Sequence, residues 1–179
     1  MAGEMAWVVL LRATNVGGRR RFLPSEFAKG KALAEFHLVN LGAAGTFVAR
    51  TKATESRLRR AIVAQLPFET EVTLCPGEEI LRLIGRNPFA GAPIGAKPYL
   101  SVLVADAVRT PRIPFHAPEG SEWEVRLVAA QGRYILSVAR RLTERLTYPN
   151  PVVEREFGVS ATTRGWPTVV ALGRLLETS

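Results

Sequence analysis

The period of apolar and polar positions along the first 85 residues changes in a regular order. Residues 6–11 are a short valine-rich apolar run, the pattern of a central strand. After a glycine-bearing loop, Pro24-Ser25-Glu26 opens a helix whose apolar face is Phe27, Leu33 and Phe36, weakened internally by Gly30. Residues 37–41 and 45–50 read as two short strands joined through Gly42-Ala43-Ala44-Gly45. The clearest helix is 54–66. There Leu58, Ile62 and Leu66 recur every four residues, Arg57, Arg59 and Arg60 face water, and Pro67 lies just past the end. Residues 70–75 alternate as a strand. The order βαββαβ is the split βαβ pattern of ferredoxin-like units.

Residues 76–85 form a third helix, with Ile80, Leu81 and Ile84 opposite Glu78, Glu79 and Arg82. Residues 87–98 hold three prolines and two glycines without periodicity, a linker pattern. The second half opens on an apolar strand at 99–104, followed by a long polar connection over 106–122. Trp123, Val125 and Leu127 alternate with Glu124 and Arg126, and Gln131-Gly132 turns the chain into a strand at 133–138. Helices at 150–158 and 167–177 close it, the latter with Val169, Leu172 and Leu176 on one face. The expected architecture is therefore α+β. A ferredoxin-like domain over 1–90 packs with a second, smaller α+β domain over 91–179 that carries the C-terminal helices.

Composition changes this picture only at the level of partners. The chain has 179 residues, 47% hydrophobic and 22% charged, ordinary for a globular protein. Its net charge of +8 comes from 24 lysines and arginines against 16 acids, spread over both halves. Such a balance favours phosphorylated or polyanionic partners, and equally it reflects an arginine-rich, alanine-rich composition with no bearing on function. A single cysteine, Cys75, excludes an internal disulfide and fits a reducing compartment. No run reaches the ~20 apolar residues of a membrane span, so a cytosolic protein with no membrane partner is expected.

Candidate chemistry concentrates after the first strand, in Leu11-Arg12-Ala13-Thr14-Asn15-Val16-Gly17-Gly18-Arg19-Arg20-Arg21. The paired glycines permit positive φ and close approach of a ligand. The arginines supply planar donors suited to phosphate or carboxylate. The loop has neither Walker nor dinucleotide spacing, so it reads as an anion-contacting turn at Arg12, Asn15, Gly17, Gly18 and Arg19, or as a structural turn alone. Arg133, Arg140, Arg141 and Arg145 form a second basic group. Metal sites are unsupported, because His37, His116, Cys75 and Asp106 offer no ligand cluster. Cys75 reads as a buried small hydrophobe. Ser160, Thr162 and Thr163 read as residues capping the last helix. The pairs Glu69/Glu71, Glu78/Glu79 and Glu154/Glu156 read as solvated faces and helix starts. An RNA-recognition platform lacks a member, since the first strand offers only Trp7 and the third only Phe47.

Three segments carry a resemblance. Leu10-Leu11-Arg12-Ala13-Thr14-Asn15-Val16-Gly17-Gly18 resembles the LLRGINVGG opening of the bacterial domain-of-unknown-function family sixteen ninety-seven. Asn87-Pro88-Phe89 resembles that family's NPF, and the stretch from Val153-Glu154 through Gly158 to Thr163-Arg164-Gly165-Trp166 resembles its closing TRNW segment. The resemblance implies two ferredoxin-like α+β units and no established activity. The chain departs from the pattern at Ala13 and Thr14, at Leu41–Thr46 where many members carry QSGN, and at Gly165 and Pro167 where asparagines are common. A polar site built on those side chains would be altered here.

The leading expectation is binding of a small anionic or phosphorylated ligand at the glycine–arginine loop, bordered by Arg164 and by Trp166 acting as a core anchor. A nucleic-acid-binding module using the distributed charge is the first alternative, and a non-catalytic scaffold pairing through a strand edge is the second. No cofactor or reaction is assigned, and the oligomeric state is left open.

Overall fold

The computed structural model describes residues 4–12, 22–142, 144 and 146–178. The chain divides into two compact units, Met1–Gly85 with Val170–Ser179, and Arg86–Val169. The division thus falls after Gly85 and not after residue 90, and the chain's last residues join the first unit. The reason lies in close packing at two glycines. A Cβ on Gly77 would sit 2.6 Å from Leu176 Cδ2, and one on Gly173 would sit 2.6 Å from Ile84 Cδ1. A hydrogen at those positions lets the final helix lie close against residues 77–85 without displacing the Leu176 and Ile84 side-chain ends.

The first unit is built on an antiparallel sheet of order β2-β3-β1-β4, from β1 (Met5–Leu11), β2 (Val39–Asn40), β3 (Thr46–Thr51) and β4 (Val72–Pro76). Register alternation sends Trp7, Val9, Leu11, Phe47, Ala49, Val72 and Leu74 to one core, where they meet Leu33, Phe36, Leu58 and Ile62. Leu58 and Ile62 come from α2 (Glu55–Gln65), whose N-cap Thr54 accepts a hydrogen bond from the Arg57 N–H. The opposite sheet face, with Val8, Leu10, Val48 and Cys75, is buried too, and α3 (Gly77–Gly85) contacts β1 and β4.

The single helix expected over Phe27–Phe36 is two pieces. These are α1 (Pro24–Ala28) and a 3-10 turn (Lys31–Phe36), separated where Gly30 adopts ψ 130°. The strand expected over 37–41 shrinks to Val39–Asn40, because His37 takes left-handed φ 45° to end the 3-10 turn.

The second unit has an antiparallel sheet of order β6-β7-β8-β5-β9. Its strands are β5 (Lys97–Leu103), β6 (Phe115–Ala117), β7 (Val125–Gln131), β8 (Tyr134–Ala139) and β9 (Ala161–Gly165). The core lies on the face carrying Tyr99, Leu103, Val125, Leu127 and Ile135, against Val152, Val153 and Phe157 of α4 (Asn150–Phe157). Gly158 ends α4 at φ 71°, a conformation glycine adopts without strain.

Two strands here were not expected. β6 emerges from the polar connection, and β9 occupies the residues read as helix caps. Thr162 and Thr163 extend along β5, with Ser101 opposite Thr163, because β-branched side chains suit a pleated surface. The last helix, α5 (Trp166–Glu177), begins directly after β9.

Candidate functional site

Of the site residues expected after β1, Asn15, Gly17, Gly18 and Arg19 lie outside the described residues. Arg12 is described. Its N–H donates to the Glu71 carbonyl at 3.1 Å, and its own carbonyl accepts from the Thr70 hydroxyl. These bonds tie the residue following β1 to the approach to β4. An open depression of about 410 Å³ forms there, lined by Arg12, Glu69, Thr70 and Glu71. A second, lined by Val63, Leu66, Pro67, Phe68, Glu69 and Thr70, adjoins it through the shared Glu69 and Thr70.

Arg12 Nη1 stands 3.2 Å from Glu71 Oε2, with the side chains 38% and 39% exposed. That oxygen is itself buried and accepts no aligned hydrogen bond, so Arg12 meets it as a charge pair between two side chains that are partly exposed elsewhere. Glu71 is therefore a partner of Arg12 and not a bystander on a solvated strand face.

Arg164 and Trp166 belong to the second unit, at and just after β9. Trp166 is half-buried and meets Phe89 edge to face, with centroids 4.9 Å apart. This links the Asn87-Pro88-Phe89 and Thr162–Trp166 segments through one aromatic contact, and it gives the tryptophan less burial than a core anchor would have. Arg164 Nη1 donates to the Thr163 carbonyl at 3.0 Å, and the Tyr148 hydroxyl donates to the same oxygen at 2.8 Å. Burial lowers the Arg164 pKa, with the neighbouring Tyr148 opposing. The Tyr148 phenol is raised by burial, countered by the Arg164 charge and reinforced by Tyr99. Tyr99 is raised by burial and packs edge-on against Tyr148 at 5.5 Å.

Thr163 is the hub of this cluster. Its hydroxyl donates to Asn150 Oδ1 at 2.6 Å and lies 2.6 Å from Ser101 Oγ. A hydroxyl has one proton, so Ser101 is the donor in the second contact. Neither tyrosine nor Asn150 stood out in the sequence, where nothing local marks residues that meet only through sheet pairing.

The second basic group is largely committed to structure. Arg140 donates to the Trp123 carbonyl at 2.6 Å and to the Ser121 carbonyl, and its guanidinium carbon lies 4.1 Å from the Trp123 ring centroid. Arg141 donates to the Glu144 carbonyl, and Arg133 lies over Tyr134 at 5.8 Å. Arg145 lies outside the described residues. Trp7 and Phe47, the aromatics of a stacking platform, are buried in the first core. Among the described residues no group of three His, Cys, Asp or Glu side chains is placed to hold a metal ion, and no helix is long and apolar enough to cross a membrane.

Architecture and site together define a mixed α+β protein with two antiparallel sheets, several helices and a charged depression at one strand end. No family model matches the chain, and no curated protein matches it. Among solved structures it is similar to the conserved bacterial protein SP0830 from Streptococcus pneumoniae. The TM-score is 0.66 at 14% identity, over 98% of this chain and 100% of that one. At that identity the likeness shows the fold alone.

Proposed function

We propose that this protein binds a small anionic or phosphorylated ligand at the end of β1, with Arg12 as its described cationic contact. The observation behind this reading is the Arg12–Glu71 pair. Both side chains are more than a third exposed in an open depression, so an incoming anion can reach the guanidinium and compete with Glu71 for it. Glu71 then acts as a placeholder that orients the guanidinium when no ligand is present.

Competition makes the reading testable in two directions. Calorimetric titration with inorganic phosphate and a nucleoside monophosphate should show Arg12→Gln weakening binding by about 1.5–3 kcal/mol, one charge-assisted contact. Glu71→Gln should tighten it. Equal affinities in wild type, Arg12→Gln and Glu71→Gln would leave the depression a structural turn. Tight, steeply salt-dependent binding of an oligonucleotide with no response to mononucleotides would favour the nucleic-acid alternative.

The same reading includes a ferredoxin-like first unit, supported by its element order and its β2-β3-β1-β4 pairing. It also includes membership of the bacterial family sixteen ninety-seven, supported by the three sequence anchors, and a cytosolic location, supported by the single buried cysteine.

A further inference from the structure

We propose a separate oxyanion site in the second unit, formed by Arg126 and His116 beside Trp123, that takes a phosphate group. Arg126 and His116 are direct cross-strand partners on β7 and β6, so their side chains share a sheet face at neighbouring positions. Trp123, only 4% exposed, is the platform. The Arg126 guanidinium carbon lies 4.3 Å from its centroid, and the His116 ring stacks at 6.0 Å with planes 22° apart.

Arg140 also covers this ring, but its Nε and Nη2 are spent on the carbonyls of Trp123 and Ser121. Arg126 is different. Its Nε is buried and has no hydrogen-bond partner among the described residues, and no carboxylate there pairs with it. The nearby Glu124 carboxylate accepts from the Thr147 hydroxyl.

A buried guanidinium N–H without an acceptor is costly. The stacking on Trp123 offsets part of it. An oxyanion seated between the Arg126 fork and the His116 imidazole would supply an acceptor to these donors, in a geometry suited to a phosphate. Because the arginines and His116 already cover the Trp123 ring, the platform has no open face for a base or sugar. The chemistry recognised is the phosphate itself.

The site does not depend on the reading at Arg12, and the experiment separates the two. The chain has two histidines, His37 and His116, so their imidazole C–H signals can be followed by NMR during titration with inorganic phosphate at constant ionic strength. A saturable shift at His116, with His37 unmoved, is expected. Arg126→Gln should weaken the apparent affinity about tenfold or more, while Arg12→Gln leaves it unchanged. Arg126→Lys keeps the charge and the stem over Trp123, and it should fold normally yet bind more weakly through loss of the fork. A linear, non-saturating shift, or one unchanged in Arg126→Gln and Arg126→Lys, would overturn the site. So would a saturable response to an oligonucleotide with none to phosphate.

Discussion

Thr163→Val tests the polar hub of the second unit and isolates the worth of one buried hydroxyl. Valine keeps the branched shape and the strand preference of threonine, so packing changes little and the loss is chemical. Ser101 is fully buried and Thr163 is 4% exposed, so removing the Thr163 oxygen strands the Ser101 proton where water does not reach it. An unsatisfied buried donor costs about 1–3 kcal/mol. Asn150 loses its donor as well, but it is half-buried and water can replace the bond. The expected loss for Thr163→Val is therefore about 2–3 kcal/mol. Ser101→Ala removes a donor while Thr163 keeps its bond to Asn150, for about 1 kcal/mol. In the double variant no orphan remains, and the total should fall short of the sum by at least about 1 kcal/mol. Urea unfolding of the four proteins, with unchanged m-values, measures this directly. Strict additivity, or a Thr163→Val protein as stable as wild type, would show that the hydroxyl chain is not a coupled unit.

Further expectations concern the two units separately. Arg50 donates to the carbonyls of Leu175 and Thr178 at the C-terminal end of α5, so Arg50→Met should cost about 1–2 kcal/mol in chemical unfolding and loosen the exchange protection of the last turn. Trp166→Ala should cost less than the ~3–5 kcal/mol of a fully buried aromatic, because the ring is half-buried; a loss within that full range would restore the core-anchor role. Gly158→Ala forces a side chain into φ 71° and brings its Cβ to 3.1 Å from the Val108 Cβ, so a loss above ~1 kcal/mol is expected. Burial raises the phenols of Tyr99 and Tyr148 above their ordinary 10.0. Their contribution is fully present below pH ~10 and is lost as pH rises through the folded values. Stability should therefore fall at high pH, and less steeply in Tyr99→Phe.

The helix over 54–66 was legible because its information is local. Leu58 and Ile62 sit a turn apart, Thr54 caps the start and Pro67 stops the end, and each of these acts within a few residues. The apolar run of β1 was legible too, because a strand buried on both faces is apolar at successive positions whatever its partners are. Gly30 signalled a weakness, and there the chain breaks into α1 and the 3-10 turn. β9 was not legible. Ser160-Ala161-Thr162-Thr163 before a tryptophan and proline fits a helix cap as well as a strand, and pairing with β5, some sixty residues earlier in the chain, decides between them.

The polar sites follow the same division. Amino-acid type and spacing determined the overall charge, the lack of a metal-ligand pattern, and Arg12 as a cation at a strand end. They could not show that Glu71 faces Arg12, that Thr163 joins Ser101 to Asn150, or that Arg126 and His116 share Trp123. Arg140 and Arg141, alike in sequence to any solvated arginine, prove to be bonded to backbone carbonyls. Each of these facts depends on which backbone passes within about 3 Å of a charged or hydroxyl group, a hydrogen-bond length set by sheet register and packing. That distance is not encoded near the residue itself. It emerges only when segments far apart in the chain are brought together to bury their apolar faces.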